Sequence, residues 1–468
     1  MKKKSVLLVL FGLILGLSVA YAAELIDSKD ISFSNGATNL SSNNVQDAIE
    51  EIYNKTIDNS SCKNVSAPKL GEGLVLVTIE NDGTVKYADT SKKWYNYCDK
   101  IWANAVILED GVSYNVGDTI SEADIQSYFV WIPKYKYKLW NTGTSSEGIH
   151  EIGIVFDETD TTDIEGISCK TPMISGESGN CNNGEYMTHP AFISMNTNGF
   201  WVGKFETGYK GAASAAAAQV NENDTSKVII KPNVYSWRYI NEYNAFLNSY
   251  NYKRNLDSHM MKNTEWGAVA YLSHSKYGTN KEINLNNNSS YKTGYTALPN
   301  LNQQTFPGIV GDGSSYNSLY NAAAGYLAST TGNVTGVYDM SGGAWEYMSA
   351  YISGNLGSSG FTESVADNFD SKYFDLYNAS STSTSYEKRI LGDATGEMGP
   401  FREFLDGDSV ARYHSIWYSD YSYFVDSSNP WLSRGGLYNN GVLAGIFSFG
   451  KFESGGNVYF GFRIVLTP

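Results

Sequence analysis

Few side chains in this sequence are suited to chemistry. There are four cysteines, Cys62, Cys98, Cys169 and Cys181, and five histidines, His150, His189, His259, His274 and His414. The cysteine spacings match no zinc pattern, and no histidine stands beside any of them. Each scattered histidine reads as a surface or satisfied core residue rather than a ligand. A different donor set stands in Asp339-Met340-Ser341-Gly342-Gly343-Ala344-Trp345-Glu346, where two carboxylates bracket a Gly-Gly turn able to expose backbone carbonyls. Calcium takes about six to eight oxygens of this mixed kind. The same residues serve equally well if Asp339 caps a turn and Glu346 pairs with an arginine. A last constellation lies near the C-terminus, where Arg434 and Arg463 sit in short apolar segments. If buried, they need carboxylate or carbonyl partners and would pin the final hairpin. Tyr, Asn, Ser and Gly between them are the residue types of adaptable binding surfaces.

The compartment is set by the first residues. Lys2, Lys3 and Lys4 precede an apolar run from Val6 to Ala20, and Ala20-Tyr21-Ala22 has the small-x-small form of a cleavage site. This predicts a secretory signal peptide over residues 1–22, cut after Ala22, and a secreted or cell-surface protein. Only an uncleaved signal segment would offer a membrane contact, and so short a run would barely span a bilayer. Outside a reducing cytosol the four cysteines are expected to form two disulfides. Cys169–Cys181 with Cys62–Cys98 is one of about three pairings, and the spacing does not choose among them.

The elements that must hold these residues are legible in part. The run SNNVQDAIEEIY (42–53) places Val45, Ile49, Ile52 and Tyr53 on one helical face, with Ser42 or Asn43 as cap. Such a helix, within an N-terminal segment over 23–60, would pack on a neighbour or self-associate. A small β-rich region is expected over 61–127, because GLVLVTIENDGTVKYAD alternates about Asn81-Asp82-Gly83 as a hairpin. From Tyr128 to the end of the chain (128–468) the texture is one of short strands and turns, with helices expected at Trp237–Leu247 and at Thr264–Leu272, the latter capped by Thr264. The run Ala212–Ala218 reads as a surface insertion, and RILGDATGEMGPF, with Asp393 and Glu397, as a surface loop. The class expected is α+β, with much irregular backbone held by buried Trp and Tyr.

Several segments carry a resemblance. YFVWIPKYKYKLW (128–140), EYMTHPAF (185–192), GFWVGKFETG (199–208), PNVYSWRYINEYNAFL (232–247), KNTEWGAVAYL (262–272), GVYDMSGGAWEYM (336–348), SRGGLY (433–438) and GFRIVL (461–466) run in the order of the motifs of formylglycine-generating-enzyme (sulfatase-modifying-factor) domains. The resemblance implies a C-type-lectin-like fold over 128–468. It also implies a structural calcium ion held by Asp339 and Glu346 through side chains and by Gly342 and Ala344 through carbonyls, with no organic cofactor. Copper-dependent members carry their active cysteines late in the domain, whereas no cysteine follows Cys181 here. The expectation is therefore a protein that is not an enzyme.

The stretch WLSRGGLYNNGVLAGIFSFGKFESGGNVYFGFRIVL (431–466) also resembles the variable region of diversity-generating-retroelement target proteins. On that likeness Arg434, Gly435, Gly436, Tyr438, Gly461 and Arg463 are scaffold, with Tyr438 where the family usually has Trp. Leu437, Asn439, Asn440, Val442, Leu443, Ile446, Ser448 and Tyr459 would face the ligand. The function expected is adhesion or recognition of a surface protein or glycan. Two other readings stand beside it: an oxidoreductase of the formylglycine-generating type with its chemistry at other residues, and a subunit of a surface fibre or phage tail. Lys+Arg 34 against Asp+Glu 49 give a net charge of -15, or about -18 after cleavage. That excludes a nucleic-acid partner, since binding phosphates begins with cations.

Overall fold

The computed structural model describes residues 31–32, 44–49, 64–138, 151–157, 186–297, 317–377, 390, 392–395, 418, 420–452 and 455–468. The chain divides into two compact units, Met1–Lys63 and Asn64–Pro468. In the first, residues 45–49 are helical, and the cap is Asn44, whose Oδ1 accepts from Asp47 N at 2.8 Å. The cap thus falls just after the expected Ser42 or Asn43. Ala48 is buried while Ile49 is 51% exposed. Ile52, Tyr53, the signal segment 1–22 and Cys62 lie outside the described residues. Among the described residues no helix is long and apolar enough to cross a membrane.

The second unit begins with the expected hairpin, β1 (Leu74–Ile79) and β2 (Val85–Tyr87), paired antiparallel. Gly83 takes φ 88° in its turn, and Asp82 Oδ1 accepts from Thr84 N at 2.9 Å. Then come β3 (Asn104–Leu108), β4 (Thr119–Ile120) and β5 (Ile125–Pro133). A three-stranded sheet follows, of β6 (Tyr135–Lys138), β7 (Ile154–Phe156) and β8 (Tyr186–Thr188). Helix α1 (Pro190–Met195) leads into β9 (Gly199–Gly203). The short strands β10 (Gly208–Tyr209) and β11 (Val228–Ile229) pair with each other. Helix α2 (Glu242–Tyr252), β12 (His259–Met260) and helix α3 (Asn263–Ser273) come next. A second short pair is β13 (Tyr295–Ala297) with β14 (Asn317–Leu319). The remainder is β15 (Trp345–Ile352), helix α4 (Glu363–Ala366), β16 (Asp375–Tyr377), β17 (Trp431–Gly435), β18 (Gly445–Phe452), β19 (Phe460–Phe462) and β20 (Ile464–Leu466). Sheets predominate and helices are short among the described residues, in keeping with the α+β class.

Two sheets organise the unit. The larger has the order β12-β20-β9-β5-β3-β1-β2-β4, and the other is β16-β15-β17-β18 with β19 also on β15. The boundary expected between 127 and 128 is therefore absent. Strands from the expected β-rich region share one sheet with β5, and the division falls at Lys63/Asn64. The hairpin pattern was visible, but its pairing partners lie far along the chain.

Trp102, Trp131, Trp201, Trp237, Trp266 and Trp431 are fully buried. Each indole N–H donates to a backbone carbonyl, from Tyr277 O under Trp102 at 2.8 Å to Ile446 O under Trp266 at 2.7 Å. Irregular backbone cannot pair with itself in a ladder, so these indoles satisfy its buried carbonyls while filling the core.

Helix α3 matches expectation to within a residue at either end. Its first turn is satisfied by Glu265, whose Oε2 accepts from Lys262 N at 2.9 Å, and by Asp375 in β16, whose Oδ2 accepts from Thr264 N at 2.7 Å. Thr264 thus lies inside the helix rather than capping it. Helix α2 starts five residues later than Trp237, because Asn241 caps it by accepting from Asn244 N at 2.9 Å. Residues 237–241 are extended or turning instead, with Tyr239 at φ 62°.

Candidate functional site

The C-terminal hairpin is built on two buried arginines, and both find the partners that burial demands. Arg463 faces Glu346 in a fork, Nε to Oε2 at 2.8 Å and Nη2 to Oε1 at 2.5 Å. It also donates to Gly203 O at 2.8 Å and Tyr338 O at 3.0 Å. Arg434 donates to Asn263 Oδ1 at 2.7 Å, to Ala394 O at 3.1 Å and to Asp393 O. Asp393 is fully buried, so its segment is an anchor for Arg434 rather than the surface loop expected; Glu397 lies outside the described residues.

Beneath the hairpin is a buried acidic centre. Glu206 accepts from Ser236 Oγ and from Ala344 N, the latter at 2.9 Å. Asp339 Oδ1 accepts from Gly294 N at 2.8 Å and from Asn286 Nδ2 at 2.9 Å, while its Oδ2 lies 3.3 Å from Glu206 N. Burial and the neighbouring Asp339 and Glu346 push the Glu206 carboxyl well above its ordinary range. Burial raises Glu346 to about 6, with Arg463 pulling it back. Burial and the neighbouring carboxylates both disfavour the ionised form of Glu206.

This geometry decides how the Asp339–Glu346 loop is used. Both Glu346 oxygens receive Arg463, and both Asp339 oxygens receive N–H groups. Glu346 pairs with an arginine, the alternative the sequence also allowed. Gly342 and Ala344 serve the backbone: Gly342 N donates to Gly435 O at 3.0 Å and Ala344 N to Glu206. Among the described residues no group of three or more His, Cys, Asp or Glu is arranged to hold a metal ion.

The histidines that are described sit in the core. His259 Nε2 meets Glu265 Oε1 at 2.9 Å, and His274 Nε2 meets the Tyr418 hydroxyl at 2.5 Å. His189 caps α1, and burial pushes it down to about 3. His150 and His414 lie outside the described residues. Cys98 is half-buried and disulfide-bonded; Cys169 and Cys181, like Cys62, lie outside the described residues.

The loop from Gly436 to Ala444 joins β17 to β18. Gly435 and Gly436 take φ 87° and 82°, a region open to glycine without strain. A Cβ on Gly436 would lie 2.8 Å from Ala444. Tyr438 N donates to Gly343 O at 2.9 Å, and Leu437 N to Asn440 Oδ1 at 2.7 Å. With its backbone held in this way, the loop turns Asn439 and Val442 outward and leaves Leu437, Asn440 and Leu443 half-buried. Tyr459 is 47% exposed. The scaffold residues Arg434, Gly435, Gly436, Gly461 and Arg463 are buried, and Tyr438 is half-buried.

Two expected ligand-facing residues are not on that face. Ile446 and Ser448 are buried in β18, which is covered on both sides, so alternation along it separates no solvent face. Glu206, Arg238 and Asn263 were not singled out in the sequence. A glutamate inside the otherwise apolar segment GFWVGKFETG was the available signal for the first. The chain matches no family model and no curated protein.

Proposed function

We propose that this chain is an exported, non-enzymatic recognition protein of C-type-lectin-like, formylglycine-generating-enzyme-type fold, whose C-terminal hairpin presents a ligand-binding face to surface proteins or glycans. The observation that carries this reading is the Gly436–Ala444 loop. Its backbone is tied to Gly343 and to its own Asn440, while Asn439 and Val442 point to solvent. Pre-ordering the backbone lowers the entropy lost on binding and leaves the outward side chains free to change. The motif order from Tyr128 to Leu466 and the buried Arg434 and Arg463 support the scaffold half of the reading. Leu437, Asn440 and Leu443 would form the inner rim of the face.

The test is a screen of the chain from Ala23 onward against cell-surface proteins and glycans, repeated with Asn439→Ala/Val442→Asp. Both positions are solvent-facing, so the double variant should keep the wild-type melting temperature and lose at least about tenfold in affinity. A ligand bound equally by both proteins would move the binding face elsewhere. Close relatives whose coding sequences differ mainly within 431–466 would establish diversification; identical C-termini would remove it.

A further inference from the structure

Tyr239 lies outside the C-terminal stretch, yet the fold brings it to the same surface. It is 47% exposed and holds φ 62°, a left-handed conformation unfavourable for a bulky residue and usually retained where the surrounding structure enforces it. The enforcement is visible. Tyr239 N donates to Asn457 O at 3.0 Å. The turn can come so close because residue 456 is glycine, where a Cβ would stand 2.8 Å from Tyr239 O. The preceding Arg238 is clamped by Val458 O and by Ala215 O.

The same turn carries Tyr459, whose N donates to Asn457 Oδ1 at 3.0 Å. Tyr239 and Tyr459, both half-exposed, are thus each tied through the backbone N–H to the exposed Asn457. Below the turn the packing is buried: the Arg238 guanidinium lies 3.7 Å from the centroid of the Tyr291 ring, and Tyr291 in turn meets Tyr438 edge-on, ring centroids 4.9 Å apart.

We propose that Tyr239, Asn457 and Tyr459 form a stacking platform for a neutral oligosaccharide. The proposal rests on the recognition reading above and names its ligand class. Sugar rings have apolar C–H faces that pack on flat aromatic rings, and equatorial hydroxyls that pair with amides, the two groups arrayed here. A net charge of -15 repels sialylated and sulfated chains, so the fitting sugars are uncharged.

The experiment prints neutral gluco-, manno-, galacto- and N-acetylglucosamine oligomers beside sialylated ones and a panel of surface proteins. The full chain is compared with Tyr239→Gly, Tyr239→Phe and Tyr459→Ala. Glycine relieves the left-handed strain, so Tyr239→Gly should melt no lower than wild type while losing at least about tenfold in binding to neutral oligomers. Tyr239→Phe keeps the ring and should retain binding, and Tyr459→Ala should lose it. Neutral glycan binding unchanged in Tyr239→Gly and Tyr459→Ala would overturn the platform while leaving recognition intact. So would binding confined to sialylated glycans or to proteins. No binding by any probe would remove both readings.

Discussion

The fork between Arg463 and Glu346 is wholly inside the protein, where a charge left alone is costly. Arg463→Met should therefore lower unfolding free energy by about 3–5 kcal/mol in urea titrations, and adding Glu346→Leu should recover much of that loss. If a chelator such as EDTA lowered the melting temperature of the wild-type chain, the reading of this loop as an arginine-closed rather than calcium-closed device would fail. Burial also governs Glu242, whose Oε2 accepts from Gly455 N at 3.1 Å and whose carboxyl is pushed up to about 8 from an ordinary 4.5. The folded chain then holds a proton between those two values that the unfolded chain has released. This group's contribution is full below pH 4.5 and is lost as pH rises to about 8. Glu282 and Asp420, raised by burial to about 9 and about 8, act in the same sense. Glu242→Gln should flatten the decline, gaining on the order of 2 kcal/mol at pH 8 over wild type and little at pH 5; parallel pH profiles would refute the assignment.

At the scale of elements, the turns decide more than the strands. Gly343 has φ 71°, and a Cβ there would stand 2.2 Å from Glu206 Oε1. Gly343→Ala should cost more than about 2 kcal/mol. Gly441→Ala, at φ 56° with nothing within 4 Å, should cost only about 1 kcal/mol. Equal losses at the two sites would mean that backbone strain alone matters. These same elements show what a reader of the sequence can and cannot see. Helix α3 was legible because its apolar run and Glu265 are local signals. Helix α2 was misplaced because Trp237 and Ile240 look periodic, while the left-handed turn at Tyr239 is held by Asn457 O, more than two hundred positions away. Ile446 and Ser448 were assigned outward from their spacing in a likeness, and only tertiary cover tells that β18 is buried on both faces. The glycines and arginines of the hairpin were legible, since both residue types have few alternative uses. Of their partners, Glu346 was offered to an arginine by its sequence, but Asn263 and the Asp393 carbonyl were not assigned to Arg434, because contact at such separation leaves no trace in spacing.

For the whole molecule, the division at Lys63/Asn64 predicts that residues 64–468 expressed alone unfold cooperatively, with the melting temperature of the full chain in calorimetry. A broad or lowered transition would show that the first unit is needed. The converse truncation should fail. Removing residues 464–468 takes β20 from between β12 and β9, leaving two unpaired strand edges and the Arg463 carbonyl, which accepts from Met261 N at 3.0 Å, at a free end. Such a chain should be rapidly cut by protease under conditions that spare the wild type. The position of β20 also sets a clock. Strands made early in synthesis cannot close their sheet until residues made hundreds of positions later arrive, so the nascent chain is obliged to remain open. Closure of the larger sheet is thereby a late event in folding, and β20 acts as its latch.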